Sequence, residues 1–281
     1  MKKVVLLFVA VCFTVFSFAQ DAAEKINQAN EAMKTKDYAK AFELYESAMS
    51  NLGDVQVPDA INFNIGLAAY NSDNYNKAIE YFDKAIAADA NADKAYEYKA
   101  GAYGKLKKYK EAVESYEKAI EATPDDASLS YNAGITAYKG KIYEKAAVFF
   151  GAAVEGGYKA ASAQYYKAVV LNKLNKDAEY KAALVEGVEK FSGNEKLSSA
   201  LANVYVSEGN ELYKKGAAIL STANQKVNDG GMTTADDAYT AEVTKAKKEF
   251  AAAIEVLEKA LALDAGNANA TKLLEACKAV N

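Results

Sequence analysis

The sequence predicts an all-α fold: about six helical hairpins stacked as a solenoid, the last one extended and followed by a C-terminal capping helix. Three observations predict it. In the stretch from Asp93 to Asp126, apolar residues stand at Tyr96, Tyr103 and Leu106, and after Lys107-Lys108 at Tyr109, Ala112, Val113, Tyr116, Ala119 and Ile120. That is helical spacing twice over, without the alternation of a strand. Small residues at Ala100, Ala112 and Ala119 would let helix axes approach to about 8 to 10 Å, with the tyrosines filling the gaps between them. Third, the unit recurs: a step of 34 residues from Tyr109 reaches Tyr75 and Tyr143, and the same step from Ala112 reaches Ala78 and Ala146. A fixed period of this size marks a solenoid. Pro124 cannot continue the second helix, and Asp125-Asp126 can cap the next.

The residues Tyr96, Ala100, Tyr103, Ala112, Tyr116, Ala119 and Pro124 resemble the pattern of the tetratricopeptide repeat. That pattern runs aromatic, Leu, small, Tyr in a first helix, then small, aromatic, small, Pro in a second. The preceding repeat offers Ile65, Gly66, Ala78, Phe82 and Ala85, and the following one Gly134, Ala146, Phe150 and Ala153. The resemblance implies a right-handed α–α superhelix with a concave groove lined by the first helices.

Taken in order, residues 1–19 have Lys2-Lys3, an apolar run from Val4 to Phe18 and small residues at the end, as a secretory signal peptide does. The mature chain would then be a single solenoid domain of residues 20–281. The apolar run is short for a membrane span, and no apolar stretch of spanning length follows it. Cys12 raises a lipoprotein reading, but Val11 before it is larger than a lipid-attachment signal wants. The first repeat, 22–58, carries Asp37, Tyr38, Ala41, Tyr45 and Ala48 in register. Lys25 and Gln28 give its first helix the polar face that a terminal repeat needs. A loop near Gly53 and Pro58 adds three residues to the period. Repeats 59–92, 93–126 and 127–160 keep strict register; 161–194 is degenerate, with Tyr180, Leu184 and Gly187 in its second helix. The last, 195–266, does not turn at Gly209. Leu212, Tyr213, Gly216, Ile219, Leu220 and Ala223 continue the helical stripe to a loop at Gly230-Gly231. Thr233 or Thr234, with Asp236 or Asp237, would open the returning helix as a capping box. The resulting hairpin would project roughly 20 Å, as a partner-binding element or as a cap over Leu257 and Leu261. Residues 267–281 form the capping helix.

Composition narrows the function. The chain has no His and no Trp, and all 34 of its basic residues are Lys. The net charge is -4, and loss of residues 1–19 would remove two lysines and no acid. Nucleic acid is not the expected partner, since phosphate binding wants a basic surface and guanidinium forks. Without imidazole the ordinary general base and metal ligand are missing, so no enzyme activity, cofactor or metal is expected. Glu111 with Glu114, and Asp125 with Asp126, read as solvated helix positions rather than paired catalytic carboxylates. Gly101, Gly104 and Gly230-Gly231 lack the context of a phosphate loop. Only Cys277 would remain in the mature chain, so no intramolecular disulfide is expected; it is a buried small hydrophobe or a thiol for an intermolecular bond.

The resemblance implies a groove lined by Phe63, Leu67, Tyr70 and Asn71; Glu97, Gly101, Gly104 and Lys105; Tyr131, Ile135, Tyr138 and Lys139; and Tyr165, Val169, Asn172 and Lys173. Rings beside Lys and Asn suit an extended peptide, although some of these tyrosines could pack only between repeats. The family's clamp for a chaperone's terminal carboxylate would need Lys where Ile26 stands; Asn30 matches, and Arg is absent. The expected function is a non-catalytic protein-binding scaffold of the bacterial envelope, periplasmic, outer-membrane-associated or secreted, with a glycan- or nutrient-binding component of an uptake assembly as the alternative.

Overall fold

The computed structural model describes residues 20–52 and 55–280. The signal-peptide reading of residues 1–19, Cys12 and the Gly53 loop position lie outside them. Among the described residues the chain is helical throughout, with no strand. Helix α1 covers 20–34. It is followed by α2 (Tyr38–Met49), α3 (Ile61–Asn71), α4 (Tyr75–Ala87), α5 (Ala92–Lys105), α6 (Tyr109–Ala122), α7 (Ala127–Lys139), α8 (Tyr143–Glu155), α9 (Ala160–Lys173) and α10 (Asp177–Lys190). Two long helices, α11 (Glu195–Asn228) and α12 (Asp237–Leu263), precede α13 (Ala268–Val280). The chain divides into two compact units, one ending at Lys159 and the other beginning at Ala160.

The break inside each of the first five hairpins is the same device. One residue turns left-handed, at Lys36, Asp73, Lys107, Lys141 and Asn175, with φ between 56° and 63°. The N–H of the next residue then reaches the carbonyl five positions back: Asp37 to Ala32, Asn74 to Ala69, Lys108 to Tyr103, Ile142 to Ala137 and Lys176 to Leu171, at 2.8 to 3.0 Å. This satisfies orphan carbonyls of the first helix and fixes the reversal without glycine. From Asp73 to Asn175 these turns recur in the 34-residue register; the preceding one, at Lys36, stands further back because of the loop insertion.

In the first unit, successive helices pack in chain order from α2 to α8. The small residues do what their spacing predicts: Ala78, Ala112 and Ala146 are fully buried. Ala112→Leu should therefore destabilise the chain by about 1–3 kcal/mol, because added methylenes have no space at a close crossing; a urea midpoint equal to that of the wild type would contradict this placement. Gly66 serves the same purpose in α3. A Cβ there would come within 2.6 Å of the Phe82 ring, which is itself fully buried. Asp126 caps α7, accepting from the Ser128 N–H at 3.0 Å, so its carboxyl is held below the usual carboxylate range by hydrogen bonds from Ser128.

The second unit begins with the α9–α10 hairpin packed on the base of α11. As the apolar stripe predicts, α11 runs through Gly209 without turning, and α12 returns along it. Small residues at Gly209, Gly216 and Ala223 are buried in the seam. A Cβ at Gly209 would stand 2.7 Å from Leu257 Cγ, and one at Gly216 would stand 2.8 Å from the Phe250 ring. Between positions 217 and 249 only Ala223 and Ala246 are buried, so the outer part of the hairpin adds little core. The expected capping box is displaced. Asp236 does reach back to the Thr233 N–H at 2.7 Å and the Thr233 hydroxyl at 2.9 Å, but these bonds close a turn ahead of the helix, which starts only at Asp237. Helix α13 packs on α12 through Leu273, Leu274 and Cys277 against Leu257 and Leu261. Cys277 is fully buried, and burial pushes its thiol pKa up, so it packs as a small hydrophobe.

Candidate functional site

The predicted groove positions of the first unit lie on α3, α5 and α7. Phe63, Leu67 and Tyr70 are half-buried on α3, and Asn71 at its end is exposed. Phe63 and Tyr70 both pack against one residue that the repeat register does not single out, Tyr98 of α5. Its ring stands 6.0 Å from Phe63, 5.6 Å from Tyr70 and 5.9 Å from Phe82. Gly101 gives Tyr70 room: a Cβ there would stand 3.0 Å from the Tyr70 hydroxyl oxygen. Phe63 and Tyr70 thus serve inter-repeat packing as well as presenting an edge to solvent. The Asn71 amide donates to the Leu67 carbonyl at 2.8 Å, turned onto its own helix. Glu97 pairs with Lys94 at 3.2 Å, while Lys105 is exposed.

On α7, Tyr131, Ile135 and Tyr138 are half-buried and Lys139 is exposed. Tyr131 meets Tyr158 edge-to-face at 5.7 Å, and the Lys159 ammonium lies 5.0 Å from the Tyr131 centroid. Tyr138 stands 6.1 Å from Tyr143. The first helices therefore present the same series twice, a partly exposed apolar row ending in an exposed polar residue. Asn30 of α1 accepts from the Tyr45 hydroxyl at 2.6 Å, so the one residue that matches the carboxylate clamp is engaged within its own hairpin.

Behind this row Tyr116 is only 8% exposed, and burial first, then the Glu97 and Tyr70 charges, push its pKa from 10.0 to about 12. A raised pKa means that the folded state holds the proton more tightly. The contribution is complete below pH 10.0 and is lost between there and about pH 12, as the unfolded chain deprotonates first. Tyr116→Phe should flatten the fall of stability across that window, measured by urea unfolding at a series of alkaline pH values; a fall of unchanged steepness would contradict it.

In the second unit Tyr165 and Val169 are half-buried on α9, and Asn172 and Lys173 are exposed. Tyr165 packs on the core around Leu171 and Leu184 and meets Tyr166 at 5.7 Å. Asn172 hydrogen-bonds the Tyr180 hydroxyl and partly offsets the rise in pKa that burial gives it. Both residues line a cleft of about 570 Å³ together with Lys181, Asn203, Ser207 and Glu208. Lys181 bonds Glu208 at 2.7 Å and lies 5.2 Å from the Tyr205 ring. Asn203 and Ser207 belong to this surface although the sequence did not mark them; both lie on α11 at the first-helix groove register, and that register was the available signal. Among the described residues no group of three His, Cys, Asp or Glu could hold a metal ion, and no helix is long and apolar enough to cross a membrane.

A family model described as TPR repeat matches residues 102–140, and one described as tetratricopeptide repeat matches residues 60–92. The Hsc co-chaperone sgt12 of Aspergillus fumigatus is 34% identical over 119 residues, which are 42% of this chain and 34% of that protein. Serine/threonine-protein phosphatase 5 of Rattus norvegicus is 30% identical over 128 residues, 44% of this chain and 25% of that one. The chain thus spans about a third of the length of the first of these relatives and a quarter of the second. Two solved structures each superpose with a TM-score of 0.50. A tetratricopeptide repeat protein from Parabacteroides merdae is 17% identical, covering 92% of this chain and 99% of that one. The C-terminal part of a repeat-containing protein from Cytophaga hutchinsonii is 18% identical, covering 94% of both. At such identities they bear on the fold alone.

Proposed function

Because the chain is a tetratricopeptide-repeat protein, we propose that it is a protein–protein interaction scaffold without catalytic activity, whose first helices hold a peptide or protein segment. One observation carries this reading: the repeated row of half-buried apolar residues, Phe63, Leu67 and Tyr70 on α3 and Tyr131, Ile135 and Tyr138 on α7, each followed by an exposed Asn71 or Lys139. Rings held by neighbouring repeats lose little side-chain entropy on binding, so contact with a partner's apolar residues is gained at low cost. The Lys residues at the row ends can bond the partner's carbonyls and carboxylates. On this reading Tyr165, Val169, Asn172 and Lys173 serve the same role in the second unit.

We also infer that the chain is exported. The basic start, short apolar run and small residues up to Ala19 support removal of residues 1–19 and a mature chain that begins at Gln20 in the bacterial envelope. The experiment is a pull-down from envelope extract of the native host, with the wild-type mature chain compared with Tyr131→Ala/Tyr138→Ala. The groove reading requires a partner retained by the first and lost by the second while circular dichroism stays unchanged. Equal retention would overturn it.

A further inference from the structure

We propose that α5, α6 and α8 form a second docking surface, whose occupant is a protein segment bearing lysine or arginine with apolar residues between the charges. The three helices enclose a cleft of about 790 Å³ that shares no residue with the groove row. Tyr96, Tyr103, Ile120 and Phe149 supply its apolar lining. Val148, the residue before Phe149 in α8, is 70% exposed.

The charges around this lining are not balanced. Glu117 is paired with Lys145 at 2.8 Å, Glu121 with Lys118 at 2.7 Å, and Lys99 with Asp83 at 2.5 Å. Both lysines of the cleft are therefore compensated. Glu111 and Glu114 also line it, and among the described residues neither takes part in an ion pair. They stand three apart on one face of α6, where like charges repel. The helix dipole accounts for Glu111 in the first turn, but Glu114 lies beyond that turn. The Lys99 and Lys108 ammonium groups already stand 5.8 and 6.0 Å from the Tyr103 centroid, so Glu111 and Glu114 rather than that ring are open to a further cation. An incoming cationic side chain would meet the two carboxylates, and its apolar neighbours would cover Tyr96, Ile120 and Phe149. An acidic peptide or an anionic lipid surface would be repelled by the same carboxylates.

The test uses the full mature chain and two fluorescent probes, an amphipathic Leu/Lys peptide and its Leu/Glu counterpart, titrated by anisotropy. The Leu/Lys probe should bind and the Leu/Glu probe should not. Glu111→Gln/Glu114→Gln should weaken binding about five- to tenfold, the effect of two partly exposed charge contacts. The control Glu24→Gln/Glu31→Gln, which removes the same charge elsewhere on the first unit, should change it by less than about twofold. Hydrogen exchange on the unmodified chain with the Leu/Lys probe should show new protection in α6 and α8. Equal weakening by both pairs, absence of binding, or protection confined to α3 and α7 would overturn the second surface; the last of these outcomes would leave the groove reading standing.

Discussion

Replacing Phe82 by alanine is expected to cost about 3–5 kcal/mol, the range for deleting a fully buried aromatic ring. The ring is 0% exposed, and its neighbours are fixed from three sides: Gly66 of α3 lies against its edge, Phe63 stands 6.0 Å away and Tyr98 of the next repeat 5.9 Å away. None of these can collapse into the vacated space without leaving another contact, so a cavity would persist. The loss should appear as a lower urea midpoint by circular dichroism. Phe63→Ala, which removes a half-buried ring from the same cluster, should cost less. A Phe82→Ala midpoint within error of the wild type would show that this cluster does not hold α3, α4 and α5 together.

In the second unit the largest effect is expected at the base of the long hairpin. Leu257→Ala should destabilise by about 2–5 kcal/mol, because Leu257 is 0% exposed at the centre of the α11–α12–α13 core. Gly209→Ala should also destabilise, by about 1–3 kcal/mol, despite the better helix propensity of alanine. Its new Cβ would stand 2.7 Å from Leu257 Cγ. The two changes should not add. With the leucine shortened the new methyl has space, so the double variant should be less destabilised than the sum by at least about 0.5 kcal/mol. Strict additivity in denaturant unfolding would show that α11 and α12 do not approach as closely as this seam requires.

The repeat frame was legible because it rests on local constraints: a small residue at a close crossing must be small, and Ala78, Ala112 and Ala146 are all fully buried. The uninterrupted α11 was legible for a related reason, since its apolar stripe continued past Gly209. The start of α12 was not. Hydrogen bonds between Thr233 and Asp236 look the same in a sequence whether they cap a helix or close the turn before it, and the helix starts only after them. The groove row was legible as a set of positions but not as a set of environments. How far Phe63 and Tyr70 are exposed depends on Tyr98, whose counterparts one period away are Asn64 and Asn132, so no repeating signal marks it. Asn71 likewise reads as a free amide until its bond to the Leu67 carbonyl is seen.

The groove is tested most directly by photo-crosslinking in cells of the native host. A crosslinking amino acid at Leu67 or Ile135, both half-buried on the first helices, is expected to give a partner adduct, and one at Ala87, exposed on α4, is expected to give none. Adducts from Ala87 without any from Leu67 or Ile135 would contradict the groove as the binding surface.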